Sequence, residues 1–362
     1  MKFIKAAFLK TWLFFFLILS GTLIGNAQCV STFPYLEDFE NGAGGWVSSG
    51  TSNSWILATP ANPVINSAAS GTKSWITKAN GSYNNNEKSR VVSPCYDFST
   101  LSDPFIALSV WWESEYNFDG AVLQSSTNGG TTWNNVGGFQ NPINWFNANS
   151  IAGNPGANPP TQPTNPIGWS GRNNSFNGSG GWLTAQHALS GLGGKPSVLL
   201  RVAFGADGSV TDDGFAFDDV AIAERPDVNI GDSIFLCFGD TAYLDAGGAG
   251  ATYTWSNGGS SQIQPVADPG IIIVTVIDTL GFFVRDTALI FVSYTQVALP
   301  PDQDMCAGDS LFINATTNPG ASYLWSTGQT TQNIFALDSG TYWVQVADTV
   351  GCVKTDSINI SL

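Results

Sequence analysis

From Gln28 to about Glu224 the chain alternates short apolar runs with turn residues and keeps no helical period. Residues 89–93, 105–112, 120–125, 197–204 and 215–223 are rich in β-branched and aromatic side chains and are bounded by Gly, Asn, Asp or Pro, which predicts strands. Roughly two hundred residues of this kind predict one antiparallel sandwich of jelly-roll size. Between Gly137 and Gly181 the pattern gives way to Asn, Pro and Gly around Trp145, Phe146 and Trp169. A connection that long inside a compact domain is generally either functional or disordered.

Beyond residue 224 the chain says one thing twice. Cys237-Phe-Gly-Asp240, Tyr253-Thr-Trp255, Gly270 and Asp278-Thr-Leu-Gly281 return as Cys306-Ala-Gly-Asp309, Tyr323-Leu-Trp325, Gly340 and Asp348-Thr-Val-Gly351. The offset is 69 residues at the cysteine and 70 from the tyrosine on. A unit of that length exceeds a solenoid repeat and is near the smallest size that encloses its own core. In Tyr342-Trp-Val-Gln-Val346 the alternation puts Tyr342, Val344 and Val346 on one face, the pattern of a small immunoglobulin-like sandwich with one buried sheet face. Arg225-Pro-Asp227 and Pro300-Pro301 read as linkers. The expected fold is all-β: a jelly roll over 28–226 and two immunoglobulin-like modules over 227–298 and 299–362.

Residues 1–27 carry Lys2, Lys5 and Lys10 ahead of an apolar run and end in small residues, which reads as a cleaved secretory signal peptide. A lipoprotein anchored through Cys29 is the weaker reading, because Gln28 stands where a lipobox needs a small residue. No later segment is apolar for long enough to span a membrane as a helix. After the signal, 10 basic residues against 28 acidic ones leave a formal charge of −18. Nucleic acid and anionic membrane are therefore poor partners, since both call for a basic surface. The five cysteines of an exported chain predict two disulfides and one left over. Cys306 with Cys352 is the obvious pair within the second repeat, and Cys29 with Cys95 the most economical of the rest. The first repeat has Phe282 where Cys352 has its counterpart, so Cys237 is left either as a buried inert thiol or as an intermolecular link.

Phe33-Pro-Tyr-Leu-Glu-Asp-Phe-Glu40, Ser93-Pro-Cys-Tyr-Asp97, Trp111-Trp112 and Gly214-Phe-Ala-Phe-Asp-Asp-Val-Ala-Ile222 resemble the opening, middle and closing strands of MAM-like, concanavalin-A-like jelly rolls. This version resembles one found in secreted proteins of gliding, type IX-secreting Bacteroidota, and the two repeats are similar to PKD-like and immunoglobulin-like modules that follow it there. Such relatives usually end in a sorting domain, so the resemblance implies either further domains after Leu362 or a different mode of attachment. It also implies a structural calcium. Glu37, Asp38 and Glu40 on the first strand and Asp218 and Asp219 on the last are neighbours in this fold class, Asp119 offers another oxygen, and hard oxygen donors from adjacent strands suit Ca²⁺. The rival reading is acidic residues capping strand ends in water.

Other motifs carry less chemistry. Ser126-Thr-Asn-Gly-Gly-Thr-Thr-Trp133 looks like an Asp-box with Asn128 for the aspartate, a hairpin element. Glu113 and Glu115 share one face of a strand, and paired carboxylates drive glycoside hydrolysis. The glucanase pattern E-x-D-x-x-E nevertheless fails here, with Glu115 and Phe118 at its second and third positions. His187 is the only histidine, which nearly excludes His-based triads and His-rich zinc sites. Trp145, Phe146, Trp169, Arg172 and Trp182 flank the long loop and offer a stacking face for a glycan, unless the rings pin the loop onto the sandwich. In the repeats, Asp-Ser/Thr-apolar occurs at Ser233, Thr241, Thr279, Thr287, Ser310, Thr349 and Ser357, similar to an O-glycan acceptor of the same bacterial group. The expectation is an exported, non-catalytic surface or extracellular protein whose jelly roll binds an extracellular glycan or surface protein, with the repeats as spacers. The alternative is a polysaccharide-active hydrolase or its accessory module.

Overall fold

A computed structural model describes residues 29–156, 165–248, 251–317 and 319–362. The signal-peptide expectation for 1–27 lies outside them. The chain is all-β, with one short 3₁₀ turn at Asn173–Ser175 among the described residues.

The first domain is a two-sheet sandwich. One sheet runs Trp55–Ala58, Ser74–Thr77, Gly214–Glu224, Pro104–Glu113, Leu183–Ala188, with Tyr35–Glu37 also on Gly214–Glu224. The other runs Val47–Thr51, Lys88–Val92, Leu199–Gly205, Gly120–Ser126, Asn134–Asn135. The predicted runs coincide with the central strands, because those carry the longest β-branched and aromatic stretches; the short flanking strands lack that signal. Between the sheets lies an aromatic core of Phe39, Trp46, Trp55, Trp75, Phe215 and Phe217. Burying rings of this size supplies most of the hydrophobic stabilisation. Cys29 is bonded to Cys95, and Val30 bridges Tyr96, so the first described residues are fastened to the sandwich.

The strand Gly214–Glu224 changes partner part-way along. Ala216 and Phe217 face Ser74–Thr77, whereas Val220 to Ile222 face Tyr35–Glu37, and a register shift between Asp218 and Ala221 lies at the changeover. A bulge re-aims side chains, and here it turns two aspartates toward one loop.

Each repeat folds as a small sandwich of two sheets. In the first, Ser233–Cys237 runs parallel to Phe283–Ser293, which pairs with Gly270–Ile277 and then Thr252–Trp255; Ala242–Asp245 pairs with Ile263–Val266. The second repeats this order with Gln303–Asp304, Val353–Ser361, Gly340–Ala347 and Ser322–Trp325, opposite Leu311–Asn314 and Asn333–Ala336. Trp255 and Trp325 are the fully buried centres, and each indole N–H donates to a backbone carbonyl six residues on, at Ser261 and Thr331, 2.8 Å away in both. Val297–Ala298 pairs with Thr316–Thr317 of the second repeat.

Candidate binding surfaces

The acidic residues do not gather as the jelly-roll resemblance implies. Asp119 lies apart from the others, buried, and accepts 2.5 and 2.8 Å hydrogen bonds from the Tyr83 hydroxyl and the Asp207 amide. With Glu115 and Asp207 it forms the group of three carboxylates that approach within 4.8 Å among the described residues. Burial pushes Asp119 up to about 6. Asp207 sits 88 residues away in a Gly-containing turn, and nothing in its local sequence marks it. Asp38 is exposed and accepts from the Glu40 amide, and Glu37 accepts from the Phe39 amide, so both cap the turn after the first strand.

Glu40, Asp218 and Asp219 do converge, on the loop 69–73. Asp218 accepts from the Ala69 amide at 3.0 Å, Asp219 from the Ser70 hydroxyl at 2.6 Å, and Glu40 from the Thr72 and Lys73 amides at 2.9 and 2.6 Å. Asp218 is fully buried, and desolvation followed by the adjoining Asp219 charge raises it to about 7. These three carboxylates are thus engaged by the loop amides and the Ser70 hydroxyl, and they are not the trio whose oxygens approach within 4.8 Å of one another.

The predicted stacking face is a correction. Trp145, Phe146 and Trp169 are 3%, 0% and 0% exposed, so no ring face is offered to a sugar. They pack on one another and on Phe215 and hold the long loop against the sandwich. Gly168 lets the loop backbone lie on Gly120–Ser126, where a Cβ would stand 2.1 Å from the Ala121 carbonyl oxygen. Arg172 is ion-paired to Asp212, and Trp182 donates to the Ser67 carbonyl and packs edge-on against Trp111. Phe176, an isolated ring between Ser175 and Asn177, is the ring this loop does expose, at 95%. Glu113 is buried and accepts from the Asn173 amide, while Glu115 belongs to the Asp119 group, so the two carboxylates are engaged separately. The Asp-box hairpin forms, with Asn128 accepting from the Thr132 amide and Trp133 donating to Gly130. His187 is a strand residue hydrogen-bonded to Asn141.

The second disulfide is also a correction. Cys352 is bonded to Cys237 of the first repeat, not to Cys306, which is exposed and free. The hairpin bearing Cys352 leans back onto the preceding module, and there Ser293 and Thr295 donate their hydroxyls to Asp348. The equivalent hairpin of the first repeat leans onto the jelly roll in the same way. Phe282 is fully buried against Phe105, Ala107, Ala221 and Ala223, with ring centroids 5.3 Å apart to Phe105, and Gln186 donates to the Gly281 carbonyl. Phe282 and Cys352 thus do the same job at successive junctions, one by apolar burial and one by a covalent bond.

The outer sheet faces of the repeats differ. In the first, Phe235, Ile271, Ile273, Leu289 and Phe291 are exposed by 57, 63, 39, 36 and 42%. They are contiguous, since Phe235 stacks on Phe291 at 4.9 Å and Leu289 faces Ile271 across the ladder. The matching positions of the second repeat are Asp304, Thr341, Trp343, Asn359 and Ser361. All seven Asp-Ser/Thr hydroxyl residues are exposed. Their aspartates have local work as well: Asp286 and Asp356 accept from the Ile230 and Leu299 amides, and Asp278 and Asp348 cap the hairpins.

No family model matches the chain. Bacillopeptidase F of Bacillus subtilis is 33% identical over 106 residues, which is 29% of this chain and 7% of that protein. Among solved structures, a cleaved adhesin domain of Lys-gingipain from Porphyromonas gingivalis aligns over 54% of this chain and 99% of its own, with 12% identity and a TM-score of 0.31. Three domains of the outer capsid protein Hoc of bacteriophage RB49 align over 35% of this chain and 55% of theirs, with 25% identity and a TM-score of 0.22. The chain therefore spans only a small part of the first of these proteins and about half of the last. Among the described residues no helix is long and apolar enough to cross a membrane.

Proposed function

We propose that this is an exported, non-catalytic binding or adhesion protein whose contact surface is the open sheet of the first repeat, taking a protein partner. The carrying observation is the contiguous apolar face of Phe235, Ile271, Ile273, Leu289 and Phe291. Exposed apolar clusters of this kind mark protein contacts, because water is displaced only when a complementary apolar surface arrives. A glycan-stacking site has lost three of its five carriers to burial, and Glu113 and Glu115, the carboxylates of the hydrolase reading, are engaged separately. Export fits two disulfides and the seven exposed Asp-Ser/Thr hydroxyls, which serve as O-glycan sites in this reading.

The test is a photo-reactive residue placed at 271 in the whole protein on its producing cells, with the same residue at 341 as reference. Protein adducts from 271, absent from 341 and lost on Phe291→Ser, support the reading. Adducts from both positions alike, or none from 271, overturn it. A structural calcium belongs to the same proposal, at Asp119 with Glu115 and Asp207, the carboxylates whose oxygens approach within 4.8 Å of one another. A jelly-roll melting temperature that chelator leaves unchanged removes it.

A further inference from the structure

We infer that Cys306 is the attachment point of a further immunoglobulin-like module, joined to it by a disulfide from a cysteine in that module's last hairpin. The inference comes from the repeat itself and is independent of the contact face proposed above. Cys237 and Cys306 occupy the same turn: Asp240 and Asp309 donate their amides to Cys237 and Cys306 at 2.9 and 3.1 Å, and Gly239 and Gly308 have φ of 95° and 93°. The strands leading into both cysteines run parallel to the last long strand of their module, with Phe235 beside Phe291 and Asp304 beside Ser361. In the first repeat that turn is already occupied, by Cys352 from the hairpin of the module that follows. In the second the same turn presents Cys306 exposed and unbonded.

The mode of docking is seen at both junctions in the chain. The fifth residue of the hairpins beginning at Asp278 and Asp348 enters the preceding module, as Phe282 in the jelly roll and as Cys352 in the first repeat. A module placed after the second repeat by the same step brings its hairpin position to Cys306. The jelly roll has no cysteine at its corresponding seat, and there the hairpin carries phenylalanine; a seat with cysteine is met by cysteine. Nothing within these 362 residues can fill the role, because Cys29, Cys95, Cys237 and Cys352 are bonded to one another in pairs. A second copy of the chain offers no hairpin cysteine for this seat, since its hairpins carry Phe282 and an already bonded Cys352. Bond formation joins two thiol sulfurs, with loss of two protons and two electrons. The acceptor is a thiol–disulfide oxidant of the export compartment, which leaves as the dithiol.

The first experiment uses the natively exported protein: free thiols are alkylated, the chain is digested without reduction, and linked peptides are sequenced by mass spectrometry. The expected result is the Cys306 peptide joined to a Gly-Cys hairpin peptide absent from these 362 residues. Intact mass before and after reduction then assigns that peptide to the same polypeptide, if no chain is released, or to a separate one. Alkylated Cys306, a symmetric Cys306 dimer, or Cys306 paired with Cys237 or Cys352 overturns the inference. A second experiment extends the whole chain after Leu362 by a copy of residues 293–362 in which the copied Cys306 is replaced by serine. The copied Cys352 is expected to bond to the original Cys306, and Cys306→Ala to leave it alkylatable with the Cys237–Cys352 bond intact. A copied cysteine that stays fully alkylatable beside an intact Cys306 overturns the inference as well.

Discussion

The two repeats share a framework and differ in what they show to the outside. Trp255 and Trp325 sit in the same place with the same indole hydrogen bond, and Asp286 and Asp356 hold the segment entering each repeat, at Ile230 and Leu299. Yet the first copy exposes an apolar sheet and docks by a phenylalanine, whereas the second exposes a largely polar sheet and docks by a cysteine. The interior is constrained by packing and the outside is not, so the copies have diverged on their exposed faces.

The largest effects are expected in the shared cores. Trp325→Ala removes a fully buried indole and should destabilise the second repeat by ~3–5 kcal/mol. Calorimetry of the whole chain should show that repeat's transition moving and the jelly roll's staying; a common shift of all transitions would mean that the modules are not separate units. The junctions come next. Phe282→Ala should cost ~2–4 kcal/mol at the jelly-roll junction. Cys352→Ser should leave the module cores intact while making residues 294–296 cleavable in limited proteolysis. If both variants open both junctions, apolar and covalent docking are not equivalent local devices.

Acid separates the jelly roll from the repeats. Asp119 has a folded value of about 6, raised above the 3.8 of a free aspartate, so the buried charge destabilises the sandwich above pH 6. That penalty is relieved as pH falls from 7 toward 4, and the jelly roll should gain on the order of 1–3 kcal/mol relative to Asp119→Asn. In the repeats Asp245 and Asp348 are lowered, by the Gly247 amide and by the Ser293 hydroxyl respectively. Their contribution is present above pH 4 and lost below it, so acid acts in the opposite sense there. Melting each transition at pH 7, 5 and 3 checks both signs. The smallest effect on stability belongs to the apolar face. Phe291→Ser should change the first repeat's stability by less than ~1 kcal/mol, because the ring is already partly in water, while removing the photo-adduct at 271.

The sequence made some of this plain and hid the rest for physical reasons. The strands around Trp111, Val122 and Phe217 were legible because strands buried on both faces write long β-branched and aromatic runs into local composition. So was the repeat, down to the common indole. The Cys237–Cys352 pair was not, because a small domain closed by its own cysteines is the economical guess and the backward lean of a hairpin leaves no local trace. One signal was available: Phe282 in place of a cysteine shows that this position faces something that changes from one module to the next. The loop aromatics misled because Trp and Phe near Asn and Gly read alike whether the loop stands off the sandwich or lies on it. The Asp119 group was invisible because Asp207 reaches it from another sheet connection.

The bond between Cys237 and Cys352 changes how the chain carries load. Tension applied along the polypeptide enters at Cys237, crosses the sulfurs and leaves at Cys352, so the 115-residue span between them bears none of it. Reduction would return that span to the load path and, once unfolded, lengthen the tether by up to roughly 400 Å at ~3.3–3.6 Å per residue. Oxidised, the two repeats behave as a strut of fixed length; reduced, they become a spring.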